Sequence, residues 1–372
     1  MGLSQETRSA IRTASFLPCA VMAASGIVLG IGYALCPQAM QGGAITLPTQ
    51  KAGLFLVRIA GALTDNAGFF FAASFAAAFS RRDKAEAALY GIGVWLALTA
   101  IASYYLLNTL FPSLPLSEPG FRYLPSPFTG VLSGLAGAFV YNRSKTFSSG
   151  IFSLLAVASV LSVLTAGIWW ILFSAAMQLG SLLVQGGDAS ACIYTGLNRL
   201  LMPLNLHHGL NQSVLFQEGT GDLVRYWANL TEGDPGRFMC GFFAPMMFGI
   251  PAAAFAFGKT QKVSKDWKQF LILAAVSSLI CGFSEPMEFV LLFTSPLLYV
   301  LYCLLYVVFA FPAVLSGFRA GFALSGGLCD LFFSAAFPSA AKTWMILPLG
   351  IGAFVVYYAV FEKLLKKSEN RK

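Results

Sequence analysis

Long apolar runs separated by short polar breaks dominate the chain. A helix needs about 20 apolar residues to cross a bilayer core of roughly 30 Å, and several runs reach that length. Phe16–Leu35, Leu54–Phe79, Ala87–Leu107, Phe128–Tyr141 and Gly150–Ala176 read as the first five spans, the second interrupted at Asp65-Asn66 and the fourth short and rich in glycine. Gly26, Gly30 and Gly32 in the first are expected to form a packing face, since small residues let helix backbones approach in lipid. Between the third and fourth spans, FPSLPLSEPGFRYLPSPF carries five prolines in Phe111–Phe128 and predicts a loop or an extended crossing.

Beyond Met177 the pattern loosens. Met177–Gly219 mixes apolar stretches with Gly-Gly-Asp, Asn198-Arg199, Pro203 and the two histidines of the chain, His207 and His208. Interrupted helices are tolerated at membrane depth only where protein or a water-filled cavity satisfies the freed backbone groups. Thr220–Arg237 is polar and is expected outside the bilayer core. Phe238–Phe257 spans again, Phe270–Phe283 is short and stops at Ser284-Glu285-Pro286, and Phe289–Pro312 is long and aromatic. Ala320–Pro338 is broken by Gly326-Gly327 and Asp330, and Trp344–Phe361 is the last span. The expected fold is an all-α polytopic membrane protein of roughly eight to ten crossings, some broken or re-entrant. As one transmembrane domain it divides into an N-terminal bundle (about 1–176), a region of broken helices (about 177–345) and a last helix with a basic tail (346–372).

Composition agrees: 57% of the 372 residues are apolar and only 11% charged, under half the charge of an ordinary soluble domain. The net charge of +8 does not point to nucleic acid, because the basic residues form short clusters between spans. Arg8/Arg12, Arg81/Arg82/Lys84, Arg143/Lys145, Lys259 to Lys268 and Lys363 to Lys372 fall after an even number of crossings, so both termini are expected to be cytoplasmic. The seven cysteines are scattered and form no CxxC, which suits small buried hydrophobes.

Charged residues inside apolar segments are candidates for function, because leaving them unpaired in lipid costs several kcal/mol. These are Asp65, Arg199, His207, His208, Glu285, Glu288 and Asp330. Glu285 is the sharpest. In GFSEPMEF, Pro286 opens a new helix, Ser284 adjoins the carboxylate, and Glu288 shares its face if the turn is helical. Glu285 either takes a hydrogen bond or a proton from a substrate hydroxyl, or only caps the helix. The histidines either build a polar substrate site with Asn205 and Asn211 or bond to backbone. They lack the convergent third ligand that a metal needs, and no metal or cofactor is expected. Asp65-Asn66 either touches a ligand or caps the following helix, and Asp330 is expected to be structural. Gly258-Lys259-Thr260 ends like a phosphate-binding loop but has Ala253 where the first glycine is required, and no strand before it.

Several motifs together resemble the membrane-spanning sugar subunit (EIIC) of bacterial phosphoenolpyruvate-dependent phosphotransferase systems, glucose superfamily. FLPCAVMAASGIVLGIG (Phe16–Gly32) is similar to that family's opening segment, and PFTGVLSGLAGAFVYNR to its glycine-rich stretch ending in YNR. NRLLMPLNLHHGLN looks like NRxLIPxGLHHxxN, and GFSEPMEF looks like GITEPIEF. The resemblance covers most of the chain and implies a paired-subunit, all-helical sugar transporter, hence a homodimer in the bacterial cytoplasmic membrane. It implies that sugar binds at His207, His208, Glu285 and Glu288, with Asn211, Ser284, Asn198 and Arg199 in support. Glu285 matches the glutamate that engages the sugar 6-hydroxyl while a phosphocysteine on an EIIB partner is attacked from the cytoplasm. HHGLN and FMCGFFAPMMFGIPAA resemble the N-acetylglucosamine branch most, with glucose or a maltose-like sugar next.

The chain departs from the pattern in places. An LPxxLxFFxGxRFVPI segment after YNR is missing, GDPTAG shortens to Gly233-Asp234-Pro235-Gly236, Asn205 replaces the glycine of GLHH, and Ser284 replaces the threonine of TEP. No EIIB or EIIA segment follows the last span before Lys372, so EIIB is expected on a separate chain. Two other functions stay open: a sugar-binding sensor without full transport, and a cation-coupled sugar transporter using Glu285 as its coupling carboxylate.

Overall fold

The computed structural model describes residues 4–114, 116, 118–261 and 263–369. Lys262 of the basic loop, Pro115 of the proline-rich connection and residues 370–372 of the tail lie outside the described residues. Among the described residues the regular elements are helices, joined by one isolated antiparallel bridge between Arg319 and Ala341. Seven helical stretches are long and apolar enough to cross a membrane: Gln5–Leu35, Pro48–Ala78, Lys84–Ile101, Phe147–Gln185, Cys240–Thr260, Pro296–Leu315 and Thr343–Lys367. The protein is therefore a multi-pass helical membrane protein.

Two compact units make up the chain. The first comprises residues 1–18, 65–178 and 201–209. Its centre is formed by the helices Ala67–Ala78, Lys84–Ile101 and Pro127–Arg143. Their backbones touch at glycines: a Cβ added to Gly130 would lie 2.2 Å from the Gly68 carbonyl oxygen. Asp83 starts the second of these helices by accepting the Glu86 N–H at 2.9 Å, and Ser126 with Thr129 forms a capping box on the third. Asn142, of the YNR motif, ties the ends together by donating to the Phe79 carbonyl at 3.0 Å and accepting the Arg81 N–H at 2.9 Å.

The Phe147–Gln185 helix is 39 residues long, about 58 Å at 1.5 Å per residue, so it outreaches a bilayer core. Phe152, Leu155, Val163, Leu164, Ile168 and Ile171 form an exposed apolar stripe along it, the face expected to meet lipid. On the other side Ala166, Trp169 and Phe173 pack into a core with Leu98, Phe121, Leu124 and Leu206. The fifth span, read to end at Ala176, continues through Met177–Gln185 in this helix. It ends instead at Gly186-Gly187, where Gly187 takes φ +67°.

The second unit comprises residues 19–64, 179–200 and 210–372. The glycines of the first span pack there on two faces and not on the single one expected: Gly26 and Gly30 abut Ser277 and Cys281, and Gly32, about half a turn round, abuts Gly53 and Val57. The helix Lys265–Cys281 stops at Gly282, whose φ of +68° places it in the left-handed region. Its Cα lies so close to Gly326 and Gly327 that a Cβ would stand 2.7 Å from Gly326 N. Asp330, expected to be structural, accepts the N–H groups of Ala323, Leu324 and Ser325 and so holds that glycine loop. After two more residues the chain enters the helix Glu285–Thr294 and then Pro296–Leu315.

Candidate functional site

In the first unit, the approach to the histidines is set by Pro203 and Asn205. Met202–Leu204 is a single 3-10 turn, and Asn205 closes it with φ +61°. That left-handed backbone is open to glycine and, among side-chain-bearing residues, readily to asparagine. Asparagine can therefore stand where the related motif has glycine. Its Nδ2 donates to the Tyr123 carbonyl at 2.9 Å, so the amide fixes the proline-rich segment to the histidine loop. His207 then opens the helix His207–Val214.

The Tyr123 ring lies flat against His208, centroids 3.8 Å apart and planes 10° from parallel. His208 in turn meets His207 at 4.0 Å. Behind Tyr123, Phe173 stacks at 6.4 Å, and Trp169 Nε1 donates to the Gly120 carbonyl at 3.0 Å. His207 is buried and His208 half-buried. An aromatic plate with imidazole nitrogens at its edge suits a hydroxylated ring, which offers C–H groups to π faces and O–H groups to nitrogen. Tyr123 was not singled out from sequence. Its signal was an aromatic inside the proline-rich connection, which reads equally well as an interfacial anchor.

The acidic candidates belong to the second unit, within a dense polar network. Glu288 is fully buried, and its Oε1 accepts from Ser284 Oγ at 2.6 Å, Tyr302 Oη at 2.7 Å and Arg199 Nη1 at 3.3 Å. Arg199 also donates through Nη2 and Nε to Asn198 Oδ1 at 2.6 and 3.2 Å. Its guanidinium sits 5.4 Å from the Phe242 ring centroid. Asn198 Nδ2 donates to Asn211 Oδ1 at 2.6 Å, and Tyr194 donates to the same oxygen at 2.7 Å. Tyr299 donates to the Arg199 carbonyl, and Tyr306 Oη lies 2.8 Å from Tyr302 Oη.

Glu285 is partly buried in the first turn of its helix, and its Oε2, like Oε2 of Glu288, has no hydrogen-bond partner among the described residues. Ser284, at the N-cap position, makes no capping bond and turns its hydroxyl to Glu288. Structure thus joins Asn198, Arg199, Asn211, Ser284 and Glu288 in one network and leaves Oε2 of both Glu285 and Glu288 without a hydrogen-bond partner among the described residues. Tyr194, Tyr299, Tyr302 and Tyr306 complete the network and were not legible as site residues.

A second polar cluster of this unit ties two loops. Asp234 pairs with Arg319 through two bonds of 2.6 Å, and Asp222 accepts the N–H groups of Gly236 and Phe238 at 2.8 and 2.9 Å. Burial pushes the Asp222 carboxyl up to about 6, against the opposing pull of those two N–H bonds and of Arg237. Asp65, in the first unit, lies within electrostatic reach of Arg122, and Asn66 holds the N-cap position of Ala67–Ala78 without a side-chain cap bond.

These features define a polytopic helical membrane protein with a buried carboxylate network and a histidine plate faced by tyrosine. Residues 12–306 match the family described as phosphotransferase system, EIIC. The chain belongs to that family. It is 31% identical to the N-acetylglucosamine-specific EIICBA component of Escherichia coli (strain K12), over 84% of this chain and 50% of that protein. It is likewise 31% identical to the N-acetylglucosamine-specific EIICB component of Bacillus subtilis (strain 168), over 94% and 75%. With the glucose-specific EIICBA component of Staphylococcus carnosus (strain TM300) it shares 27% identity, over 96% and 58%. The chain therefore spans about half the length of the Escherichia coli relative and three quarters of the Bacillus subtilis one.

Proposed function

We propose that this chain is the sugar-translocating EIIC subunit of a phosphotransferase system, taking up N-acetylglucosamine or a related hexose such as glucose or a maltose-like sugar. The observation that carries the reading is the Glu285 carboxylate, whose Oε2 has no hydrogen-bond partner among the described residues, three residues before Glu288, whose Oε1 is held by Ser284 and Tyr302. Glu285 accepts the hydrogen bond of the sugar 6-hydroxyl. As that oxygen bonds to the phosphorus of a phosphocysteine on EIIB, the S–P bond breaks and the hydroxyl proton passes to the Glu285 carboxylate. His207 and His208, stiffened by Tyr123, bind sugar hydroxyls, and Asn198, Arg199 and Asn211 support the site.

Two relatives specific for N-acetylglucosamine favour that sugar over glucose. Their EIICBA and EIICB names favour an EIIB partner. The protein works as a homodimer in the bacterial cytoplasmic membrane with both termini cytoplasmic, the side on which its basic loops are expected.

Vesicles holding the protein, EIIB and its phosphodonors test this. Sugar phosphate is expected to accumulate inside with the parent chain and not with Glu285→Gln, which stays folded. Uptake that needs an ion gradient and no phosphodonor marks a cation-coupled transporter. Binding without accumulation marks a sensor.

A further inference from the structure

Glu285 and Glu288 share the first turn of one helix, and sequence offers both as sugar ligands. Each keeps an Oε2 without a hydrogen-bond partner among the described residues, and they differ in how the Glu288 carboxylate is anchored. Glu288 Oε1 takes three donors, from Ser284, Tyr302 and Arg199. Because the Tyr302 proton goes to Glu288, Tyr306 must donate to Tyr302 across their 2.8 Å contact. Arg199 and Tyr302 come from two other helices, Gly187–Leu201 and Pro296–Leu315, and Ser284 is the N-cap of Glu288's own helix, so moving the Glu288 carboxylate breaks contacts with both neighbouring helices. Arg199 is the one guanidinium in this cluster, and its ion pair is with Glu288 at 3.3 Å. Glu285 also lies within electrostatic reach of Arg199 and of Glu288. Two carboxylates thus compete for one cation, and Glu288 holds it.

We infer that Glu288, held by Tyr302, Ser284 and Arg199, is a positioning residue and not a sugar ligand. It occupies Arg199 and repels the like charge three residues away, which keeps the Glu285 carboxylate free for the sugar. Without Glu288, Arg199 captures Glu285 and withdraws it from the 6-hydroxyl. This rests on the reading of Glu285 as the partner of that hydroxyl.

Equilibrium binding of N-acetylglucosamine, glucose and their 6-deoxy analogues to the full chain in detergent tests both steps. Losing a hydrogen bond to a charged group is worth about tenfold or more in affinity. Glu285→Gln is therefore expected to weaken the parent sugars about tenfold and leave the 6-deoxy analogues nearly unchanged. Glu288→Gln is expected to show the same selective loss, and Tyr302→Phe a smaller one in the same direction. Adding Arg199→Gln to Glu288→Gln is expected to restore much of the lost affinity, because the competing cation is gone. Neither a sugar contact by Glu288 nor a merely structural role predicts that recovery.

Equal weakening of parent and 6-deoxy sugars by Glu288→Gln, or failure of the double variant to recover, overturns the inference. If Glu285→Gln itself fails to separate the two kinds of sugar, the Glu285 reading falls first. Should Glu288→Gln not fold, Tyr302→Phe, which deletes one hydroxyl, carries the same comparison.

Discussion

Arg199 Nη1 lies 3.3 Å from Glu288 Oε1, and both side chains are buried. Taking two charges out of water costs several kcal/mol each, which mutual attraction offsets only when the remaining donors and acceptors are filled. Here Asn198, Ser284 and Tyr302 fill those of Arg199 and of Glu288 Oε1, while Glu288 Oε2 stays without a partner among the described residues, so the pair is one unit with its hydrogen-bonded neighbours.

Removing one partner should therefore be far worse than removing both. Arg199→Met leaves Glu288 as a buried anion without its cation and is expected to cost about 3–5 kcal/mol. Arg199→Met/Glu288→Leu replaces both charges by apolar bulk and is expected to recover most of that loss. Thermal unfolding in detergent reads the difference. A double variant as unstable as the single one would mean that the tyrosine and asparagine partners, and not the charge pair, hold this region together.

Asn205 offers a backbone test. With φ +61° it needs a residue that tolerates the left-handed region, and its amide also binds the Tyr123 carbonyl. Asn205→Gly keeps the backbone and loses one hydrogen bond, for about 1 kcal/mol. Asn205→Val adds the cost of a β-branched residue at positive φ, a further 1–3 kcal/mol or so. Melting temperatures should fall in the order parent, glycine, valine. An isosteric fit of valine, shown by equal stability to glycine, would contradict the geometry.

Much of this architecture could be read from residues alone, and the exceptions have physical causes. Spans, the close packing at Gly26 and Gly30, and the structural role of Asp330 follow from length, small-residue spacing and an acid beside a glycine pair. The histidine pair and Glu285 stood out because polar groups in apolar runs are costly. Tyr299, Tyr302 and Tyr306 did not, since in PLLYVLYCLLYVVFAFPAVL they look like aromatic filling of a lipid helix. Their spacing of three and four puts all three hydroxyls on one face, and buried hydroxyls need partners. That spacing was the available signal. Tyr123 was hidden for another reason: its role depends on a tertiary stack with His208, which lies 85 positions away and has no periodicity to reveal it.

Close packing in the first unit yields a third expectation. Gly130 sits so near Gly68 that a Cβ would be 2.2 Å from its carbonyl oxygen, which is backbone and cannot rotate away. Gly130→Val must push the helices Ala67–Ala78 and Pro127–Arg143 apart, and overpacking of this kind costs about 1–3 kcal/mol. Gly258→Ala is the matched control, because its nearest neighbour is the Leu271 Cδ1 atom at 3.5 Å. Folded yield and melting temperature in detergent should drop for the first variant and hold for the second.

Asp222 gives the pH dependence. Its carboxyl is pushed up to about 6 by burial, whereas an unfolded aspartate titrates near 3.9. Between those values the folded chain keeps a proton that the unfolded chain has released. The stabilisation linked to this group is therefore complete below about pH 4 and is lost as pH rises through about 6. A shift of about two units corresponds to roughly 3 kcal/mol. Asp222→Asn cannot titrate, so it lacks this component and keeps only the constant cost of a mismatched partner for the Gly236 and Phe238 N–H groups. The stability advantage of the parent over Asp222→Asn should be largest near pH 4 and shrink towards pH 7, read as melting temperature against pH in detergent. An advantage that grows with pH would show the reverse balance, with the two backbone N–H bonds outweighing burial and holding Asp222 as a carboxylate.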